Sequence, residues 1–301
     1  MPAPPVTHRR YRHTGFDGDH RAIRQFLLRI RDATPEFGWG RWEWAFCLPY
    51  LDWEHVDRIG IWEADGEVVG LATHESDLGD AYLAVDPRHR AAILPELVDH
   101  AVAELNNGSS IRIPVGEEED DLARLLADRG FAPQPWGEAT AVLDLTVPRP
   151  YELAQGYRVS SQADGIDLAR LNRCLWAGFN HGGPAPDDEE SMRWRLSSVS
   201  APSHLAELNT FVIAPDGEYA SYCGIFYDPS TDFLLVEPVC TTPEHRRRGC
   251  GRAAVLEAVT RAARLGARTA YVGSDQAFYY DLGFVPFHSS TWWQREIGAD
   301  G

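Results

Sequence analysis

Apolar residues recur along this chain at two periods, and the alternation between them sets out its elements. Ile23, Phe26, Leu27 and Ile30 fall on one helical face within DHRAIRQFLLRIR (Asp19 to Arg31), with Asp19 as the expected N-cap. Tyr11-Arg12 opens a short strand before it. RIGIWEA and EVVGLATHE read as a hairpin, because Asp65-Gly66 between them suits a turn that needs positive φ. AYLAV (Ala81 to Val85) is a strand, Arg90 to Leu105 a helix and SIRIPV a strand. LARLLADRGF is a helix closed by Gly130, and TAVLDL is the closing strand of this half. The second half runs similarly. GIDLARLNRCLWAGF (Gly165 to Phe179) and DDEESMRWRL are helices, the latter with acids in its first turn, as the helix dipole prefers. NTFVIA, YASYCGIFY and FLLVEPV are strands, followed by a long helix to Gly266, a strand at ARTAYVG, a short helix around Gln276 to Leu282, and one or two last strands in VPFHSSTWWQREI. Strands and helices alternate throughout, so the expected class is α/β (α+β), with mixed, mostly antiparallel sheets flanked by helices.

The two halves answer each other. Tyr11-Arg12 matches Tyr157-Arg158, Asp65-Gly66-Glu67 matches Asp216-Gly217-Glu218, His89-Arg90 matches His245-Arg246, and Gly130-Phe131 matches Gly283-Phe284, at offsets between 146 and 156 residues. Ordered matches at a near-constant offset indicate a duplicated domain. A chain of 301 residues suits two such domains, expected at 1–148 and 149–301, with the proline-interrupted TVPRP (146–150) as linker.

One stretch carries most of the chemistry. An apolar strand ends in PVCTTPEHRRRGCG (238–251), and an apolar-periodic helix follows. Gly249 and Gly251 lack a Cβ and let the backbone approach a ligand closely, and the free N–H groups of the first helical turn favour an anion. Arg246, Arg247, Arg248 and Arg252 add permanent positive charge. Phosphate binding is the expectation, with Cys250 contributing its backbone from within the first turn. In the first half the positions answering Gly249 and Gly251 hold Ile93 and Pro95, and Ala91 and Ala92 stand for two of the arginines. Neither Ile93 nor Pro95 suits such a cradle.

At Arg246-x-x-Gly249-x-Gly251 the chain resembles the GNAT acetyltransferase superfamily, whose pyrophosphate loop reads Q/R-x-x-G-x-G/A, and FYYDLGF (278–284) resembles the family's F-Y-x-x-L-G-F. The resemblance covers residues from about 155 to the end. It implies acetyl-CoA as co-substrate and no metal, with acyl transfer directly to a primary amine of a small molecule. The second domain is then catalytic and the first a degenerate copy with a structural or pocket-building role. It implies further that the sheet splays open at Pro238, that the backbone of Val239, Cys240 and Thr241 meets the pantetheine arm, and that Tyr279 protonates the leaving thiolate. Glu237 is the nearest candidate base on that strand, although relatives with a strand glutamate often carry it two residues earlier, where this chain has Leu235. Glu237 as a cation-binding or bulge-holding group, and a water relay in its place, stay open. So does His181 as an acceptor contact, a proton shuttle or a simple helix cap. Mycothiol synthases share the arrangement of two halves with the active one second, which makes their reaction an alternative. A non-catalytic acyl-CoA sensor is another.

Composition narrows the classes. A net charge of −17 disfavours nucleic acid and mildly favours a cationic or neutral acceptor. No apolar run spans a membrane and the N-terminus lacks a signal-peptide core, so a membrane partner is not expected and a cytoplasmic location is. Five scattered cysteines argue against a disulfide framework or zinc site. Cys240 or Cys250 as an acyl-carrying nucleophile has no placed activating partner. The rings between Trp39 and Trp53 are either a core helix or the wall of an acceptor pocket or domain interface. A monomer and a homodimer are both compatible with the sequence.

Overall fold

The computed structural model describes residues 5–31, 38–48 and 50–298. The chain divides into two compact units, Met1–Ala139 with His288–Gly301 and Thr140–Phe287.

In the first unit β1 (Thr7–Arg10), β2 (Gly60–Ala64), β3 (Glu67–Thr73) and β4 (Tyr82–Val85) form an antiparallel meander. The β2–β3 turn carries Asp65 at φ 52° and Gly66 at φ 78°, so both central residues need the left-handed region that Asp and Gly tolerate. Just before β4, Asp80 bridges in parallel to Arg112 of β5 (Ser110–Gly116). Helices α1 (Gly18–Arg29), α2 (Trp39–Ala45), α3 (Arg90–Glu104) and α4 (Asp120–Asp128) complete the unit. The core gathers Trp62, Val85, Ile93, Leu97, Ile111, Ile113 and Leu126.

The aromatic patch is the short helix α2 with Trp39 and Trp42 fully buried. Trp42 packs on Phe46, Tyr11 and His20, which places Trp39, Trp42 and Phe46 in the core, while Tyr50 is exposed. Pro49, part of the same patch, lies outside the described residues. Two local expectations shift. Asp17, not Asp19, precedes α1. The Asp19 carboxylate instead accepts from Arg9 Nη1 at 2.7 Å and from the Arg12 N–H at 2.8 Å. Strand β1 ends at Arg10, and the Tyr11 N–H still donates to the Ile59 carbonyl at 2.9 Å.

In the second unit the order is β7 (Arg158–Ser161), β8 (Thr210–Ile213), β9 (Tyr219–Tyr227), β10 (Phe233–Thr241), β11 (Thr269–Val272), then the tail of β6 (Ala132–Asp144). All neighbours are antiparallel except β10 and β11. One sheet face carries α5 (Leu168–Gly178), with Leu171, Leu175 and Val199 packed on Phe211 and Tyr222, and α6 (Glu189–Ser197) lies against α5, where Arg195 donates to Asn172 Oδ1. On the other face lies α7 (Cys250–Arg264), whose Ala253, Ala254, Leu256 and Ala258 pack with Leu234, Val236 and Ala270. Small alanines let this helix sit close to the sheet. Asp167 caps α5 by accepting from the Arg170 N–H, and Asp188 caps α6 by accepting from the Ser191 N–H.

The closing strands are assigned differently from the expectation that places domain boundaries at 148 and 149. TAVLDL, read as the last strand of the first half, pairs with β11 of the second unit, Ala141↔Val272 through Asp144↔Thr269. The final strand β12 (Val285–Glu296) sends Ser290–Glu296 against β5 of the first unit. The division therefore falls inside β6 and β12, and the prolines at 148 and 150 lie within the second unit. Leu143 joins the second core, and Trp293 and Ile297 pack on the first. TAVLDL and STWWQRE are both rich in β-formers, so the pattern specifies a strand without specifying which edge receives it.

Candidate active site

The site is built where β10 loses one neighbour. Strand β10 pairs with β9 from Leu234 to Thr241, but with β11 only over Phe233–Leu235. Between Val236 and Val239 the register on β9 shifts by a bulge that contains the cis peptide Glu237–Pro238. Beneath it lies Gly224 of β9, where a Cβ would strike the Glu237 carbonyl. A glycine inside an otherwise apolar strand is the sequence signal for such an approach, and the reading of the sequence passed over it. Beyond the bulge Val239, Cys240 and Thr241 pair with Cys223, Tyr222 and Ser221, and Ser221 Oγ donates to the Cys240 carbonyl at 2.7 Å. Alternate backbone groups of Val239–Thr241 face away from β9, on the side that β11 has left.

The loop after β10 turns through Pro243–His245, where the Tyr157 hydroxyl and His245 Nδ1 lie 2.9 Å apart. Arg247 has φ 61°, and Gly249, the N-cap of α7, has φ 78°. No side chain caps this helix. Its first-turn N–H groups, at Cys250, Gly251 and Arg252, have no intrahelical acceptors. Gly251 plays a different part from the one its spacing suggested. It is helical, and it lacks a Cβ because the Thr241 hydroxyl would lie 2.8 Å from one and the Phe278 ring 3.3 Å. The cradle thus has one left-handed glycine and one close-approach glycine.

The four arginines divide. Arg247 and Arg248 are exposed, with no hydrogen bond or ion pair among the described residues. Arg246 donates from Nε to the Thr241 carbonyl and from Nη2 to the Gly178 carbonyl and Asn180 Oδ1. Arg252 donates to the Asp281 carbonyl at 3.0 Å, tying α7 to α8 (Ala277–Leu282).

Residues 168–284 match the model of the Acetyltransferase (GNAT) family. This segment is a GNAT domain. No curated protein matches the chain in sequence. Among solved structures, a GCN5-related N-acetyltransferase from Sphaerobacter thermophilus aligns over 98% of both chains with TM-score 0.62 and 18% identity. A tandem GNAT protein from the clavulanic acid biosynthesis pathway aligns over 99% of this chain and 100% of its own, with TM-score 0.61 and 14% identity. The Saccharomyces cerevisiae N-myristoyltransferase, solved with myristoyl-CoA, covers 98% of this chain and 79% of its own at TM-score 0.55 and 10% identity. At these identities the likeness is one of fold, that of a tandem GNAT acyltransferase.

Within the GNAT domain α8 brings Tyr279 to the bulge. Tyr279 is 7% exposed and sits between the rings of Phe278 and Phe284, while Tyr280 is exposed. Burial, then the negative charge of Glu237 and the thiols of Cys223 and Cys240, hold the Tyr279 phenol well above its usual pKa. It therefore stays protonated at neutral and mildly alkaline pH. The same Glu237 charge reinforces burial in raising the Cys223 thiol. The structure thus brings Tyr279, Glu237 and the bulge together and sets the Gly249 loop at the far end of the same strand. Cys240 is buried with its sulfur 3.7 Å from that of Cys174, and Cys250 is buried with its thiol raised by desolvation. Burial raises the Cys250 thiol, away from what a nucleophilic thiol needs. His181 is exposed, with its ring 4.6 Å from that of Trp176 and its N–H on the Trp176 carbonyl.

Among the described residues no cluster of three or more His, Cys, Asp and Glu could hold a metal ion, and no helix is long and apolar enough to cross a membrane.

Proposed function

We propose that the second unit is an acyl-CoA-dependent N-acyltransferase that moves an acetyl group from acetyl-CoA to the primary amine of a small molecule. The observation that carries this is the continuity of one strand. Strand β10 leaves β11 at Leu235, bulges at Glu237–Pro238, and runs on to a helix that begins at a left-handed Gly249. The freed backbone of Val239, Cys240 and Thr241 would pair with the pantetheine amides. The first-turn N–H groups of Cys250, Gly251 and Arg252, with Arg247 and Arg248, would meet the pyrophosphate. Arg246, whose Nε and Nη2 bond the Thr241 and Gly178 carbonyls and Asn180 Oδ1, would add its charge to the same cradle through Nη1.

The reaction needs few groups. The amine nitrogen attacks the thioester carbonyl, the C–S bond breaks, and the thiolate takes a proton from the Tyr279 phenol. Glu237, or water beside it, takes the proton that the amine gives up. The Tyr279 phenol carries its proton at neutral pH and so stands as a donor. The first unit is proposed to be a degenerate copy that binds no acyl-CoA and supports the fold. A cytoplasmic location and a small-molecule partner belong to the same reading.

The test is release of free coenzyme A thiol from acetyl-CoA across a broad panel of amines. With an active acceptor in hand, Tyr279→Phe should lower turnover about a hundredfold and leave acetyl-CoA affinity unchanged. Binding of acetyl-CoA without thiol release from any amine would instead make the protein a sensor.

A further inference from the structure

Arg246 stands first in the loop, and its three hydrogen bonds reach two different elements. Nε donates to the Thr241 carbonyl, the last residue of β10, at 3.2 Å. Nη2 donates to the Gly178 carbonyl at 3.1 Å and to Asn180 Oδ1 at 2.8 Å. Gly178 is the last residue of α5, so its carbonyl is one of those a helix end leaves without an intrahelical partner. A cation there is also favoured by the helix dipole. The guanidinium is planar and holds its donors in a fixed fork, so one residue can satisfy all three acceptors in a single geometry.

The surroundings reinforce this junction. Helix α5 runs so close to β10 that a Cβ on Gly178 would lie 2.7 Å from Cys240 Cβ and 2.8 Å from its sulfur. Asn180 adopts φ 60° and ends the helix. The N–H groups of Phe179, Asn180 and His181 all bond back into the last turn of α5 at 3.0 Å. Trp176 Nε1 then donates to the carbonyls of Gly182 and Gly183, folding the start of the α5–α6 connection over the helix end. The chain has thus bound the end of its bulged strand, the end of α5 and the α5–α6 connection to a single side chain.

We infer that Arg246 is a positioning residue that couples the α5–α6 connection to the bulged strand, so that occupancy of the loop by acyl-CoA orders that connection. The coupling rests on the acyl-CoA reading above; the mechanical bridge does not. By linkage, whatever free energy the cofactor spends ordering the connection is returned when the connection closes on a second ligand. Arg246 therefore sets the register of the α5–α6 connection through the strand, by Nε and Nη2.

Hydrogen exchange at the Phe179, Asn180 and His181 amides tests this, with coenzyme A as the probe and the Ala253 amide as the loop-side reference. Without ligand, Arg246→Ala should speed exchange at the three amides roughly tenfold and leave Ala253 unchanged. Arg246→Lys should behave like Arg246→Ala, because an ammonium keeps the charge and loses the fork. In the wild-type protein coenzyme A should slow exchange at both places; in Arg246→Ala it should slow Ala253 alone. Asn180→Gly keeps the left-handed backbone and removes one acceptor, and a smaller acceleration there supports the bridge even if Arg246→Ala misfolds. Equal exchange at the three amides in wild type and Arg246→Ala, or equal slowing by coenzyme A in both, would overturn the inference. If coenzyme A protects nothing in the wild type while the ligand-free acceleration persists, the coupling and the acyl-CoA reading fall and the mechanical bridge stands.

Discussion

The strand-to-helix junctions after β4 and after β10 begin alike and end differently. Both pass through His-Arg, at 89–90 in the first unit and 245–246 in the second. In the first unit α3 starts at Arg90 itself; in the second α7 waits until Cys250. The four residues that form the loop around Gly249 are thus answered by an extra turn of helix. Ile93, answering Gly249, is 1% exposed, and its Cδ1 lies so close over Gly70 that a Cβ there would sit 2.8 Å away. Arg90 bonds the carboxylates of Glu119 and Asp121, whereas Arg246 bonds carbonyls. Leu126, buried on α4, answers Tyr279 on α8. One turn of helix with a branched apolar side chain turns a cradle into a core. The anion site proposed for the second junction depends on leaving backbone unsatisfied, and apolar packing at the first removes that possibility without disturbing the fold.

The largest effect expected from this comparison lies in the first unit. Ile93→Ala opens a cavity in a packed core and should cost about 3 kcal/mol of stability. The loss should appear in the slowest-exchanging amides of α3, with acetyl-CoA affinity unchanged. A drop in affinity would mean that the first unit takes part in binding, and the contrast between the junctions would fail.

The mirror experiment is Gly249→Val. A β-branched residue at φ 78° is strained, and a Cβ there also meets the Glu152 carbonyl at 3.3 Å. Acetyl-CoA should bind about a hundredfold more weakly by calorimetry, with the α7 core intact. Wild-type affinity in this variant would sink the cradle.

How far these features were legible depends on the range of the interaction behind them. Gly249 could be read from the sequence because its requirement is local: a left-handed residue before an apolar helix. The Asp65-Gly66 hairpin and the strand YASYCGIFY were readable for the same reason. The exchange of closing strands was not, because 140–145 and 288–296 both read as strands and their partners are set by long-range pairing with β11 and β5. Gly224 was visible as a glycine in a strand, but the carbonyl that presses on it lies on the neighbouring strand. Arg246 looked like loop charge because Asn180 and Gly178 are 66 and 68 residues away.

The smallest effect marks where the two units agree. Each buries neutral histidine: His20, His74 and His100 in the first unit, and His204 in the second. His20 in the first is held down to about 3 by burial, with Arg24 and His13 adding to it. His204 in the second is held down to about 3 by burial alone, with Nε2 3.2 Å from the Tyr222 hydroxyl. In each case the folded pKa lies below the unfolded value of 6.5. The unfolded chain therefore binds the proton first as pH falls. The stability contributed is complete above pH 6.5 and is lost progressively toward pH 3. At about pH 5 most carboxylates are still ionised, so the window from about pH 8 to about pH 5 isolates the histidines. The second unit should lose about 2 kcal/mol across that window through His204, and the first at least as much through His20 with His74 and His100, read from exchange in α7 and α3 respectively. His204→Gln should remove the loss from α7 and leave it in α3. If α7 still weakens by the same amount, another group in the second unit carries the dependence. A loss that disappears from both helices together would mean that the two cores unfold as one, and the difference between their junctions would then have to be carried by local packing within a single cooperative structure.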